Sequence, residues 1–301
     1  MTMVLWGSLP LALQATLREL DPVTLTAARF LAATAVLAAV LARRGELPPL
    51  SQLGGGQVLL LLFAIAALTA NFMGFLTGLD RTSPADAQVM IQLAPLLLGL
   101  GGLVIFGERY TRLQWIGVAA ITAGLALFFQ GQLAAAGAGG ERERFFTGHA
   151  LLLFAAVTWA GYGLAQKQLL HALRSQPLMC VIYLGCGIAL LPGSDPGRIL
   201  ALTPLGALLL AYCVANALFG YGAFAAALEH VEASRVSAVL ALTPVATLLF
   251  SELSSWLWPH AFEQGALGAS AWAGGIAVVV GSMATSLGGR RGAGVSGVSQ
   301  T

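Results

Sequence analysis

PADAQVMIQLAPLLLGLGGLVIF, residues 84–106, decides the fold. It carries one carboxylate and no basic residue, and it lies between Asp80-Arg81-Thr82-Ser83 and Gly107-Glu108-Arg109. A helix that crosses a bilayer needs roughly 17–25 mostly apolar residues, because the hydrocarbon layer is about 30 Å thick and each residue rises about 1.5 Å. This stretch has that length and too few polar groups to face water. Counting outward from charge to charge in the same way predicts ten spans: 1–17, 22–42, 55–79, 84–106, 113–131, 146–166, 177–193, 203–228, 235–257 and 265–288. The first has no basic residues ahead of its apolar run, so a cleaved leader is not expected.

Composition agrees. The chain of 301 residues is 57% hydrophobic and 9% charged, against roughly 45–50% and 25% in a soluble domain. So few charges cannot cover a water-facing surface, and the expected solvent is the lipid bilayer. A net charge of +2 gives no footprint for a nucleic-acid partner. Cys180, Cys186 and Cys213 lie in apolar runs without metal-ligand spacing and read as buried thiols. No metal or cofactor is expected. Gly54-Gly55-Gly56 lacks the Lys and Ser or Thr of a phosphate loop.

Ten spans put both termini on one side. That side holds Arg43, Arg44, Arg109, Arg112, Lys167, Arg174, Arg235, Arg290 and Arg291, and the other Arg18, Arg81, Arg142, Arg144 and Arg198. The excess predicts cytoplasmic termini. Leu93-Ala94-Pro95 returns as Leu242-Thr243-Pro244, Leu79-Asp80-Arg81 as Leu228-Glu229-His230, and Trp6 as Trp159. The expected plan is an all-α membrane protein of two inverted five-helix repeats, 1–130 and 147–288. A linker loop over 131–146 joins them, and 289–301 forms a cytoplasmic tail. Five helices being odd, the second repeat enters the membrane with opposite polarity, a common transporter plan with its site near the midplane.

Trp6-Gly7, Pro22 with Arg29-Phe30, Pro95, Gly107-Glu108-Arg109 and Gln114-Trp115-Ile116-Gly117 together resemble the EamA type of the drug/metabolite transporter superfamily. The resemblance covers essentially the whole chain and is strongest over 1–130. The second half departs, since Glu252 lies nearer Pro244 than Glu108 lies to Pro95. Within the superfamily, size and aromatic content most resemble the aromatic amino-acid exporters of the YddG type. The resemblance implies a multi-pass exporter in a bacterial inner membrane, monomeric or homodimeric.

Polar groups inside membrane helices usually face the bundle or a wet cavity. Ala85, Gln88, Gln92, Pro95 and Gly99 share one helical face, matched by Ser237, Ala241, Pro244 and Ser251. Trp159, Tyr162 and Gln166 share another, while Asn71 and Asn216 each interrupt a long apolar run. The expected binding residues are therefore Gln88, Gln92, Asn71 and Asn216 for a polar head and Trp6, Trp159 and Tyr162 around the apolar part, with Gln166 a further binding residue on the Trp159 face. Pro95 and Pro244 are expected hinges, each removing a helical hydrogen bond near mid-span. Trp115, Trp256, Trp258 and Trp272 read as interfacial. The stripes Ala66-Ala70-Gly74-Gly78 and Ala273-Ala277-Gly281-Thr285 read as packing.

The absences exclude other classes. No carboxylate pair shares a midplane face, and His149, His171, His230 and His260 lie at expected helix ends, so an enzyme is not expected. Arg29, read as near an outer end, and Lys167, near an inner one, do not make a phosphate site. Asp86 and Glu252 fall near outer ends, away from a midplane proton relay. The expected cargo is a small-molecule substrate, an amino acid and in particular an aromatic one, moved by alternating access. The alternative cargo is a lipophilic drug or organic cation.

Overall fold

The structure is a computed structural model, and it describes residues 2–47, 53–105, 107, 110–135, 139–230, 242–257 and 269–287. Among these residues the chain is all-helical: α1 Thr2–Thr16, α2 Pro22–Arg44, α3 Gly55–Arg81, α4 Pro84–Met90, α5 Leu93–Ile105, α6 Arg112–Ala135, α7 Gly140–Leu169, α8 Ser175–Leu190, α9 Pro196–Leu200, α10 Pro204–His230, α11 Thr243–Leu257 and α12 Ala269–Leu287. Six stretches are long and apolar enough to cross a bilayer: Pro22–Arg44, Gly55–Arg81, Pro84–Ile105, Arg112–Leu133, Gly140–Leu169 and Ser175–Gly193. Shorter apolar helices run over Met3–Thr16, Pro204–Gly220 and Trp272–Thr285.

Local chemistry sets the helix ends. Asp21 caps α2, accepting from Val23 N at 3.0 Å and Thr24 N at 2.9 Å, with Pro22 next. Burial alone would push this carboxyl up, but the bonds from Thr24 and Val23 hold it below its ordinary value. Gly45 ends α2 in the left-handed region, φ 66°, where a Cβ would be strained. Glu19, in the α1–α2 turn, accepts Thr203 Oγ1 at 2.7 Å and Thr203 N at 2.8 Å, which together lower its carboxyl pKa.

Two expectations need correction. The linker over 131–146 is mostly helix, with α6 running to Ala135 and α7 starting at Gly140. Alanine-rich sequence extends one helix, and Glu141 and Glu143 favour the positive N-terminal end of the other. The span 84–106 is not one kinked helix. It is interrupted at Ile91-Gln92, where Gln92 N bonds Val89 O and Ala94 N bonds Ile91 O, both tightened by one residue. Pro95 has no N–H for the Ile91 carbonyl, so it stands in the first turn of α5 and is exposed. Pro244 likewise stands in the first turn of α11. Ser237, Ala241, Arg235, Glu108, Arg109, Trp258, His260 and the tail lie outside the described residues.

The helices pack in the pairs α6 with α12, α3 with α7, α2 with α8, α1 with α10, α5 with α7 and α1 with α11; α10 also meets α2, and α11 meets α4. Glycine sets the closest approaches. Gly117 opposes Gly281, and Gly124 opposes Gly274, so α6 and α12 run antiparallel with backbone against backbone. This seam uses Ala277, Gly281 and Thr285 of the predicted stripe and widens to Gly274 and Val278, while Ala273 is exposed. Gly74 and Gly78 meet the Leu151 and Gly148 carbonyls of α7, as the other stripe predicts, although Ala66 is exposed.

Candidate functional site

Buried amides first need partners, because an unpaired one costs several kcal/mol in hydrocarbon, order of magnitude. Asn71 on α3 donates from Nδ2 to Ala155 O on α7 at 2.7 Å. Asn216 on α10 donates from Nδ2 to Leu5 O on α1 at 2.6 Å. Both expected ligands are thus helix-to-helix ties. Asn216 keeps one free group, its buried Oδ1. Trp6 approaches the same place, with its indole nitrogen against Gly220 one turn along α10. Tyr212, one turn back, bonds both Ser8 of α1 and the Asn216 amide.

Tyr162 and Gln166 form a second group on α7. Both reach the Met179 sulfur of α8, each at 3.2 Å. Trp159 packs partly buried beside the apolar cluster around Phe30, Leu68, Tyr162 and Tyr183. Gln88 is half-buried on α4, and Gln92 is buried at the break with its Nε2 unbonded. The structure therefore divides the eight expected residues among α1–α10, α7–α8, α3–α7 and the α4–α5 break.

Sequence reasoning did not count Arg29 toward the site. It is 2% exposed, and its Nε and Nη1 have no hydrogen-bond partner. Its guanidinium carbon lies 5.4 Å from the Phe72 ring centre. Phe72 in turn meets Phe30 edge-on at 4.8 Å, and Tyr183 stacks on Phe30 at 5.1 Å. Arg29 also lies within electrostatic reach of Cys213, one turn before Asn216 on α10.

Asp86 and His149 are the other pair that sequence reasoning set apart. Both are buried, and His149 Nε2 lies 3.7 Å from Asp86 Oδ1. Gln132 of α6 donates to the same oxygen at 2.6 Å, and Ser83 donates to Oδ2 through its hydroxyl and backbone nitrogen. Beside them lies a cavity of about 410 Å³, lined by Met90, Leu93, Leu125, Phe129, Phe146 and His149 among others. Among the described residues no His, Cys, Asp and Glu cluster could hold a metal.

This arrangement resembles known proteins. The EamA-like transporter family matches residues 1–130 and 146–287. An uncharacterized transporter of Haemophilus influenzae is 35% identical over 95% of this chain and 92% of its own length. The uncharacterized inner membrane transporter YhbE of Escherichia coli is 36% identical over 96% of this chain and 90% of its own. A solved crystal structure superposes with a TM-score of 0.63 over 94% of this chain and 93% of that one, at 20% identity. That likeness carries the fold alone.

Proposed function

From the premise that the chain belongs to the EamA-like transporter family, we propose that it exports zwitterionic metabolites, aromatic amino acids foremost, across a bacterial inner membrane. The observation that carries this reading is the Arg29 guanidinium, buried beside an aromatic ring with its Nε and Nη1 unbonded. A buried charge without a partner costs several kcal/mol, order of magnitude, and a substrate carboxylate would relieve that cost through a charge-assisted hydrogen bond. The free Oδ1 of Asn216, on the turn of α10 after Cys213, is an acceptor available to the ammonium. Phe72, the ring beside the guanidinium, offers an aromatic surface to the side chain. A lipophilic cation would meet the positive charge of Arg29, which disfavours the organic-cation alternative.

The mechanism proposed is alternating access between inverted halves, with ten spans and both termini cytoplasmic. Its support is the packing: exchanging the halves turns α3–α7 into α10–α1, and α5–α7 into α11–α1. The two Asn ties exchange in the same way. Pro95, in the first turn after the Ile91-Gln92 break, and Pro244, in the first turn of α11, are the proposed hinges. The inner-membrane location is supported by the name of the YhbE relative.

The test is binding and counterflow of L-phenylalanine in proteoliposomes. Arg29→Gln should weaken binding by about 10- to 150-fold, the equivalent of one charged hydrogen bond at roughly 1.5–3 kcal/mol. Unchanged affinity in a folded Arg29→Gln protein, or no saturable uptake by the wild type, overturns the reading.

A further inference from the structure

His149 Nδ1 lies 2.9 Å from Phe145 O, its own carbonyl one turn back. A carbonyl can only accept, so Nδ1 carries a hydrogen, and in the neutral ring Nε2 then keeps its lone pair. That nitrogen is buried, has no hydrogen-bond partner, and faces Asp86 Oδ1 at 3.7 Å. Two acceptors thus face each other at a distance too long for a hydrogen bond. The carboxylate holds three neutral donors, from Gln132 and Ser83. Among the described residues no Lys or Arg bonds it.

One proton added at Nε2 changes this contact completely. It converts two facing acceptors into a charge-assisted N–H···O bond between imidazolium and carboxylate, and it neutralises a buried negative charge. The surroundings accept an imidazolium: Phe145 lies 4.1 Å from the His149 ring and Phe129 meets it edge-on at 5.3 Å. The three elements joined here are distinct. Asp86 is on α4, Gln132 on α6 and His149 on α7, and α4 is the short half-helix that ends at the Ile91-Gln92 break.

We propose that Asp86 and His149 form a proton-operated latch: protonated, it adds a clamp between α4 and α7, and unprotonated, it leaves α4 without that clamp while the Gln132 bond to α6 remains. The other charged groups near this end are exposed: Asp80 and Arg81 at the end of α3, Glu141, Arg142, Glu143 and Arg144 at the start of α7, Arg18 after α1, and Glu252 on α11. Arg144 is spent on the Asp80 carbonyl at 2.6 Å. As a means of coupling export to proton re-entry, the latch rests on the exporter reading. As a proton site it stands alone.

Amide exchange of residues 84–92, measured by mass spectrometry on the protein in lipid nanodiscs from pH 5.5 to 8.5, tests it. Each rate is divided by the intrinsic amide rate at the same pH. Protection of α4 should fall by about tenfold or more as pH rises, within the range of ordinary coupling energies. His149→Gln and Asp86→Asn should each flatten the profile, while exchange in α6 and α12 reports that the variant is folded. A flat wild-type profile overturns the latch without recourse to any variant, and so does a folded His149→Gln protein that keeps the wild-type slope. No substrate is present, so failure to carry L-phenylalanine would refute the exporter reading and leave this result untouched.

Discussion

Gly124→Ala tests whether the α6–α12 seam is closed to a single methyl group. A Cβ built at Gly124 lies 2.7 Å from Val278 N, 2.8 Å from Gly274 O and 2.9 Å from the Ala277 Cβ. Ordinary contact begins near 3.4 Å, so the carbonyl contact is about 0.6 Å too short. Two of the three atoms are backbone, and no rotamer change can move them. The helices must separate by about that amount. A gap of 0.5–1 Å forfeits roughly a quarter to a half of each atom-pair attraction along the seam. Overpacking of this kind costs about 1–3 kcal/mol, less up to about 1 kcal/mol gained because Ala is a better helix former than Gly. A net loss of about 1–2 kcal/mol should appear in reversible unfolding in mixed micelles. Gly55→Ala is the control, since nothing lies within 4 Å of its built Cβ; it should be neutral or slightly stabilising. Gly124→Ala matching the control would refute the close-packed seam.

Two further outcomes follow from the same geometry. Asn71→Leu should lower stability by about 0.6–1.7 kcal/mol, the range of hydrogen bonds between membrane helices. Its L-phenylalanine affinity should stay within about twofold, because the amide is spent on Ala155 O; a larger affinity loss at full stability would make Asn71 a ligand after all. Pro95→Ala restores a donor one turn after Ile91 and should stiffen the α4–α5 break. Binding should persist while turnover falls by about tenfold or more, since an internal Pro is worth about 3 kcal/mol of helix continuity; normal turnover, measured on the same preparation, would remove the hinge role.

Helix positions were legible because they depend on local quantities, apolar length and flanking charge. Pro22 and Asp21 announced the start of α2, and Ser83 with Asp86 the start of α4. The break at Ile91-Gln92 was half-legible: Pro95 marked a lost hydrogen bond, but not that the backbone would tighten ahead of it. What stayed hidden was pairing over long sequence distance. Asn71 and Asn216 were visible as costly amides, yet their acceptors are backbone carbonyls, which carry no side-chain signature. His149 was misread because the charged run before it looked like a loop, when it forms the first turns of α7. Arg29 was visible as a charge inside α2, but its contact with the Phe72 ring of α3 is a pairing over 43 residues that the sequence does not mark.

The two asparagine ties also set a schedule for the ribosome. Ala155 follows Asn71 by 84 residues, and Asn216 follows Leu5 by 211. At about 5–20 residues per second, the Asn71 amide waits several seconds or longer for its carbonyl. Leu5 waits longer still for its donor. During that interval the nascent chain holds an unsatisfied amide that free lipid would penalise, so α3 has reason to stay beside the insertion machinery or a chaperone until α7 arrives. A chain truncated after the first matched stretch never receives its acceptor. It should be recognised as unfinished and degraded, and co-expression of residues 140–287 should rescue it.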